Sequence, residues 1–254
     1  MSILHVQNLL KEFDGIRAVN DLSFEVEEKS ITALIGPNGS GKTTIFNLIN
    51  GFLRPDGGRI VFNRKEITSI SPYRIARLGI GRTFQNIRLF PQISVLDNVL
   101  LGLRYEKGEK FTSALFQTKR MKREEGENLK KAEEIIKFIS LSEKKDKPAE
   151  TLSHGQRKLL ELGRILALDP TVLLLDEPFA GLFPETKKIM LNLLRSLKEK
   201  GKTIQFIEHD INSVMDIAEK IIVLDHGKKI AEGMPEEIKK NREVLKAYLG
   251  KESL

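Results

Sequence analysis

The 254-residue chain contains no cysteine and no long apolar run. The lack of cysteine excludes disulfide bonds and thiolate metal sites, and a reducing cytosol fits this composition. No segment approaches about 18 uninterrupted apolar residues, so we expect no transmembrane helix. Residues 1–5 lack a basic region followed by a long apolar stretch, so we expect no signal peptide. These absences predict a protein without membrane-spanning or disulfide-bonded parts.

The charge balance is positive, with 42 Lys and Arg against 35 Asp and Glu and a formal net charge of +7. Such an excess attracts acidic partners such as nucleic acid or an anionic membrane surface. It also arises from a lysine-rich solvated surface whose charge is partly offset by bound nucleotide. We favour the second explanation and expect no nucleic-acid partner. With 40% hydrophobic residues, the chain is able to bury a substantial core.

The most informative segment is rich in glycine and ends in lysine and threonine. It fits the phosphate-binding pattern G-x-x-x-x-G-K-[ST] and consists of Gly36, Pro37, Asn38, Gly39, Ser40, Gly41, Lys42 and Thr43. The apolar run 31–35 before it predicts a buried strand, and apolar residues at helical spacing predict a helix over 44–52. Because strand and helix are both in place, an ordinary glycine turn is the weaker explanation.

This context indicates a nucleotide-binding loop. Its backbone N–H groups and the following helix N-terminus suit phosphate oxygens. We expect the Lys42 ammonium to reach the β- and γ-phosphates and the Thr43 hydroxyl to ligate Mg²⁺. Thr44, at the start of the predicted helix, completes the nucleotide-binding segment.

Patterns along the chain predict an α/β fold with an N-terminal antiparallel β layer. Three continuous apolar runs are typical of strands covered on both faces in a parallel sheet, at 172–175, 204–207 and 221–224. Shorter segments predict the antiparallel layer, at 3–6, 22–26 and 58–62. Residues 86–155 are helix-rich and strongly charged, and we interpret them as an inserted helical subdomain. The nucleotide-binding core would then comprise 1–85 and 156–254, within one domain spanning 1–254.

Two adjacent carboxylates, Asp176 and Glu177, follow the run 172–175. Ligands of parallel α/β sheets bind at the carboxyl ends of strands. We therefore expect Asp176 in the Mg²⁺ shell and Glu177 to polarise the water that attacks the γ-phosphate. An acidic strand-to-loop turn is the alternative, which the upstream phosphate loop disfavours. His209 follows the next strand, and we expect it to contact the γ-phosphate, whereas the residues alone assign no role to Gln85.

These residues, in this order, resemble the ATP-binding cassette (ABC) ATPases over nearly the whole chain. The resemblance implies a P-loop NTPase (RecA-like) core, with Gln85 as the Q-loop residue that touches Mg²⁺ or water. Residues 152–156 match the family signature, which P-loop enzymes outside this superfamily lack. His209 matches the switch histidine, and Phe13 lies where the family places an aromatic that stacks on adenine.

The resemblance also implies head-to-tail pairing of two subunits around two ATP molecules. Ser153, Gly155 and Gln156 of one subunit would face the γ-phosphate held by the other subunit. The chain departs from the family pattern twice, with His154 where the commonest signature has glycine and Phe183 where the D-loop is usually acidic. The sequence leaves the consequences of both departures open.

Within this family, the chain is similar to the ATPases of branched-chain amino acid importers. The segments that carry this similarity are 82–85, 104–130, 207–210 and 231–250. This similarity implies ATP hydrolysis that powers a separate integral-membrane permease at the cytoplasmic face of the membrane. Apolar groups at 88–91, in a loop where a solvated surface would be polar, predict that the permease docks around 86–99. Local packing of Phe90 into the helical subdomain is the alternative. Further partners would be a second ATPase subunit, identical or a close paralogue, and an extracytoplasmic solute-binding protein. The alternatives are a urea-type or lipopolysaccharide-type ABC system, a soluble non-transport ABC ATPase, and a nucleotide-binding module without turnover.

Overall fold

The computed structural model describes residues 1–85, 87–103 and 119–249. Asn86, residues 104–118 of the charged insert, and Gly250 therefore lie outside the described residues. The described strands are β1 Ser2–Phe13, β2 Ile16–Glu27, β3 Ile31–Ile35, β4 Gly57–Phe62, β5 Lys65–Glu66, β6 Ile80–Arg82, β7 Val172–Asp176, β8 Thr203–Ile207, β9 Lys220–Asp225 and β10 Lys228–Gly233. Within the described ranges, no helix combines the length and the apolar character needed to cross a bilayer.

The helices include one long charged member and several short ones. They are α1 Lys42–Ile49, α2 Pro72–Leu78, α3 Val95–Leu100, α4 Lys119–Phe138, α5 His154–Leu166, α6 Pro184–Glu199, α7 Ile211–Ile217, α8 Pro235–Ile238 and α9 Arg242–Leu249. Two short 3-10 helices, Ser142–Lys144 and Ala149–Thr151, lie between α4 and α5.

The strands form two sheets. The antiparallel sheet has the order β2-β1-β4-β5, and it is the predicted N-terminal β layer. The second sheet has the order β10-β9-β3-β8-β7-β6, in which only β10 runs antiparallel to its neighbour. The α/β fold class predicted from the sequence is therefore confirmed.

Register in the parallel sheet brings three strand ends to one edge. Ile207 of β8 pairs with Leu34 of β3 on one side and with Asp176 of β7 on the other. All residues of these three strands are buried, as continuous apolar runs predict. The loops that follow β3, β7 and β8 consequently emerge side by side.

One hydrophobic cluster joins side chains of the antiparallel sheet, α1 and the parallel sheet. It contains Phe46 of α1, fully buried, along with Leu34 of β3 and Ile207 of β8. Because α1 directly follows the phosphate loop, this packing fixes the loop against both sheets.

Helix α1 is shorter than the sequence predicts. The apolar spacing extends to Phe52, but the helix ends at Ile49 and Phe52 is 49% exposed. Gly51 adopts a left-handed φ of 70°, and the backbone N–H groups of Phe52 and Leu53 both donate to the Asn47 carbonyl. A left-handed glycine is a common helix terminator, and it outweighs the spacing here.

The chain divides into two compact units. The core unit comprises residues 1–82, 170–180 and 194–249, and the helical unit comprises the described residues within 83–169 and 181–193. Helix α5 belongs to the helical unit, where Gly163 abuts Ile139, and a Cβ at Gly163 would lie 2.7 Å from the Ile139 side chain. The boundary drawn from sequence at 155/156 places α5 in the core instead, and the domain limits remain a prediction.

Candidate functional site

The phosphate loop lies close against neighbouring backbone in the core unit. Gly36 has a φ of 154°, and a Cβ there would lie 2.2 Å from the Leu224 carbonyl oxygen. Gly41 has a φ of 98°, and a Cβ there would lie 2.2 Å from the Ala18 carbonyl oxygen. Because a fixed backbone atom is the obstacle in both cases, only glycine permits this loop path.

The Lys42 ammonium is held inside the same loop. Its Nζ donates to the carbonyl oxygens of Gly36 at 2.8 Å and Pro37 at 2.9 Å, and to Ser40 Oγ at 3.3 Å. Helix α1 begins at Lys42, and among the described residues no side chain caps its start. The first N–H groups of a helix have no partner within the helix, so this turn is suited to an anion.

Asp176 lies at the end of β7 in a buried ion pair. Its Oδ2 is 3.3 Å from Nη2 of Arg82, and both side chains are under 5% exposed, at 2% and 4%. Burial raises the pKa of Asp176, and the neighbouring Arg82 guanidinium opposes this rise. Arg82 Nη1 also donates to Asn47 Oδ1 of α1 at 2.7 Å. The guanidinium thus joins the Asp176 strand to the helix that follows the phosphate loop.

Glu177 and His209 lie together beside this pair. Glu177 is in the left-handed region, with a φ of 49°, and its backbone N–H donates to the Ile207 carbonyl at 3.0 Å. His209 Nε2 lies 2.9 Å from Glu177 Oε1, so the protonated nitrogen donates to the carboxylate. Both side chains are partly accessible, at 42% for His209 and 19% for Glu177.

Phe13 lies at the end of β1, where it pairs with Ile16 of β2 across a tight hairpin. Its side chain is well exposed, and Lys11 Nζ lies 5.3 Å from the ring centre. The ring is therefore accessible to a planar ligand, as the predicted adenine contact requires.

The segment 152–156 begins α5 in the helical unit with a capping box. The Gln156 backbone N–H donates to Ser153 Oγ at 3.3 Å, and the Ser153 backbone N–H donates to Gln156 Oε1 at 3.0 Å. Gly155 faces the first turn of α6, where a Cβ would lie 2.8 Å from the Thr186 side chain. These contacts fix the predicted signature as a rigid helix start.

His154 and Phe183, the two departures noted above, differ in their surroundings. The His154 ring lies against Gly181, so that a Cβ at Gly181 would be 3.1 Å from His154 Nε2. Phe183, two residues further on, is 82% exposed. His154 therefore packs against the predicted D-loop of its own chain, whereas Phe183 is turned to solvent.

Comparison with known proteins decides the family. The sequence profile described as "ABC transporter" matches residues 19–180, more than half of the chain. The chain belongs to the ABC transporter family. A second profile, "Branched-chain amino acid ATP-binding cassette transporter", matches residues 228–253 of this ABC ATPase.

Similar proteins match the ABC ATPase over nearly its full length. The high-affinity branched-chain amino acid transport ATP-binding protein BraF of Pseudomonas aeruginosa is 40% identical over 249 residues, covering 98% of each chain. A solved nucleotide-free ATP-binding cassette from an ABC transporter is 38% identical with a TM-score of 0.85, covering 98% of this chain and 99% of that one. A solved dimeric bacterial ABC transporter cassette is 26% identical with a TM-score of 0.78, covering 92% and 99%. The predicted family and ATPase activity are confirmed.

The predicted Q-loop is held by a residue that the sequence did not reveal. Gln85 is exposed, but its flanks are fixed, because buried Glu161 of α5 accepts from the backbone N–H groups of Phe84 at 3.4 Å and Arg88 at 3.5 Å. Burial raises the pKa of Glu161, and these N–H donors oppose the rise. The Arg88 guanidinium also lies 3.9 Å from the centre of the Phe84 ring. The role of Glu161 becomes visible only from its tertiary contacts, because in the sequence it is one of several charged residues on an amphipathic helix.

Proposed function

We propose that this ABC ATPase powers the import of branched-chain amino acids through a separate membrane permease. The proposed catalytic residues rest on one observation. Glu177 and His209 form a pair just after the carboxyl ends of β7 and β8, on the side of the sheet where β3 leads into the phosphate loop. The proposal for the substrate rests on the match to BraF and on the profile matched at 228–253.

The loop residues fit a nucleoside triphosphate. Residues 36–44 supply backbone N–H groups, one enclosed ammonium and a helix start, which together suit several phosphate oxygens. Within the described parts of the chain, no group of three or more His, Asp or Glu side chains could hold a metal. Mg²⁺ in phosphoryl-transfer sites is bound through one or two carboxylates and completes its shell with other oxygen ligands, phosphate and water. Thr43, Asp176 and Gln85 would hold it, and it would neutralise phosphate charge.

Hydrolysis would use Glu177 as general base. Its carboxylate would orient the attacking water and accept its proton while the water oxygen bonds to the γ-phosphorus and the bond to ADP breaks. His209, within reach of Glu177, would contact the γ-phosphate and keep the carboxylate in place. Lys42 would stabilise charge on the β- and γ-phosphates.

A second ATPase subunit would complete the site. Ser153, Gly155 and Gln156 of one copy would face the γ-phosphate bound by the other copy, with the α5 helix start adding anion affinity. The dimeric bacterial cassette at 26% identity supports this pairing. The pair would be a homodimer or a dimer with a close paralogue. It would bind permease subunits at the cytoplasmic face of the membrane, with an extracytoplasmic solute-binding protein delivering the amino acid.

Uptake by the reconstituted transporter tests the proposed function. The ATPase, its permease and its solute-binding protein are placed in vesicles that hold ATP and Mg²⁺, and labelled leucine, valine and urea are offered outside. We expect ATP-dependent uptake of leucine and valine and none of urea. Uptake of urea alone, or ATP-dependent extraction of lipopolysaccharide, would reassign the system.

Replacing Phe13 with alanine is expected to weaken nucleotide binding by about 1–2 kcal/mol, within the range of base–aromatic stacking. The ring is accessible and supported by Lys11 at its face. Since every purine offers a π-face, GTP should bind with only modest loss. Equilibrium titration with a fluorescent ATP analogue measures both effects.

Tyr73→Ala is the matched control for this variant. Tyr73 is another exposed aromatic of the core unit, with the Arg77 guanidinium 5.1 Å from its ring centre. Its loss should leave ATP affinity unchanged. Equal ATP affinity of Phe13→Ala and wild type would exclude Phe13 from the nucleotide site.

The permease is expected to dock on residues 87–99 of the helical unit. Phe90 is half-exposed while its backbone is fixed, because buried Asn98 accepts from the Phe90 N–H at 3.0 Å and donates to its carbonyl at 2.9 Å. Pro91 beside it is also exposed, and adjoining exposed apolar groups are typical of an interaction surface. The chain has no cysteine, so Phe90→Cys introduces a single thiol for cross-linking in the assembled transporter.

We expect Phe90→Cys to cross-link to the permease. Tyr73→Cys, an exposed aromatic position of the core unit, should not do so. Cross-links obtained only from Leu245→Cys, at an exposed position of helix α9, would move the docking surface to the C-terminal segment.

A further inference from the structure

Glu208 is a buried carboxylate that the proposed mechanism does not use. It lies between Ile207, the last residue of β8, and His209, and it is 2% exposed. Its Oε1 accepts from the Phe179 backbone N–H at 2.8 Å. Its Oε2 accepts from the backbone N–H groups of His209 at 3.0 Å and Asp210 at 3.5 Å.

These hydrogen bonds connect two loops of the site. Phe179 lies two residues after Glu177, so one carboxylate oxygen holds the loop that carries Glu177. The other oxygen holds the loop that carries His209. A single buried side chain therefore spans the two loops whose side chains meet at 2.9 Å.

Each loop also has a second contact that holds it, one at Phe179 and the other at Asp210. The Phe179 ring packs edge-to-face on Phe206 of β8, with 5.9 Å between ring centres. Asp210 caps α7, since it accepts from the Asn212 backbone N–H at 3.1 Å and from Ser213 Oγ at 2.6 Å. The backbone around His209 is thus fixed before and after the histidine.

A carboxylate is the side chain that this position needs. Each loop presents backbone donors, and an ionised carboxylate offers acceptors on both oxygens, whereas an amide offers acceptors on only one. Charge-assisted bonds offset the cost of burying the charge. We propose that Glu208 is a positioning residue that sets the placement of Glu177 relative to His209 during ATP hydrolysis. The proposal rests on the roles assigned to those two side chains above.

The test compares Glu208→Gln and Glu208→Asp with wild type. Glutamine keeps the shape but points an NH₂ group at one loop, and aspartate keeps the charge but is too short to reach both loops. We expect kcat to fall about 10- to 100-fold in each, the range for small misplacement of catalytic groups, with KM for ATP unchanged. Amide hydrogen exchange should become faster at Phe179 and His209 in both variants.

Glu219→Gln is the control. Glu219 is exposed and pairs with Lys198, and it also accepts a backbone N–H, that of Ile31 at 3.2 Å. Ile31 begins β3 at the opposite end from the phosphate loop. This variant should keep kcat and leave exchange at Phe179 and His209 unchanged. An equal loss of kcat in Glu219→Gln would overturn the proposal, because the effect would then be general destabilisation.

A double variant shows whether Glu208 acts through His209. If it does, Glu208→Gln added to His209→Ala should lower kcat little beyond His209→Ala alone. Wild-type kcat and unchanged amide exchange in both Glu208 variants would overturn the proposal. Wild-type turnover in Glu177→Gln would instead overturn the catalytic assignment, and amide exchange would still report whether Glu208 holds the two loops.

Discussion

Glu177→Gln is expected to lose ATP turnover by about 10²–10⁴-fold, the usual contribution of a general base, while ATP binding is kept. The amide is nearly isosteric, so the phosphate loop and the buried Asp176 stay in place. It cannot accept a proton, and it orients water less well than a carboxylate. Phosphate release under saturating ATP measures the loss, and a binding titration checks the retained affinity.

The same variant should change the assembly state. Removing one carboxylate reduces repulsion against the γ-phosphate, so Glu177→Gln should accumulate as an ATP-bound dimer while wild type stays mostly monomeric. The interface is built around phosphate charge, so its stability should depend on salt. Size-exclusion chromatography with ATP at low and high salt compares the two proteins.

Two outcomes would contradict parts of this picture. Turnover at the wild-type rate would remove Glu177 from the mechanism. An inactive variant that stays monomeric at every salt concentration would support the catalytic role of Glu177 but would contradict head-to-tail pairing. Phe183 would then be the first residue to examine, because it replaces the usual acidic D-loop residue and is 82% exposed.

The parts of the site that local patterns encode were predictable. The phosphate loop follows from glycine spacing between a strand and a helix, and β3 and α1 flank it as expected. Asp176 and Glu177 follow from their place after a continuous apolar run, and His209 from the next such run. Because β3, β7 and β8 are parallel neighbours, the residues that follow them lie close together. A pattern in the sequence was therefore enough to predict that proximity.

The contacts that hold the site were not predictable in the same way. The partnership of Arg82 with Asp176 depends on β6 lying next to β7, and the sequence does not specify which strands are neighbours. Glu208 looks like an ordinary acidic residue beside a histidine until the Phe179 backbone is seen against it. His154 likewise acquires a partner, Gly181, only through the packing of α5 and the D-loop. Tertiary neighbours rather than local periodicity decide these three cases.

Arg82→Met is expected to lower the free energy of unfolding by about 3–5 kcal/mol near neutral pH, as for other buried ion pairs that lose one partner. Both side chains of the pair are almost fully buried, so Asp176 would keep a charge without its neighbouring cation. Methionine roughly preserves the length of the aliphatic stem, which limits the packing change. Urea unfolding measured with and without the substitution gives the difference.

The pH dependence identifies the cause of this loss. Burial raises the pKa of Asp176 and Arg82 opposes the rise, so removing Arg82 should raise the folded-state pKa further. Between the unfolded and the folded pKa the folded state binds more protons, so stability falls as pH rises through that window. The deficit of Arg82→Met should therefore be largest near neutral pH and shrink toward acidic pH, where Asp176 becomes neutral.

An exposed pair supplies the control. Arg17 lies 3.7 Å from Glu12, with side chains 60% and 43% exposed, and Arg17→Met should change stability little at any pH. A deficit in Arg82→Met that stays constant with pH would contradict the electrostatic explanation. It would assign the loss to packing instead, because the guanidinium also lies 5.6 Å from the centre of the buried Phe46 ring and bonds to Asn47. Arg82 would then stabilise α1 rather than the Asp176 carboxylate.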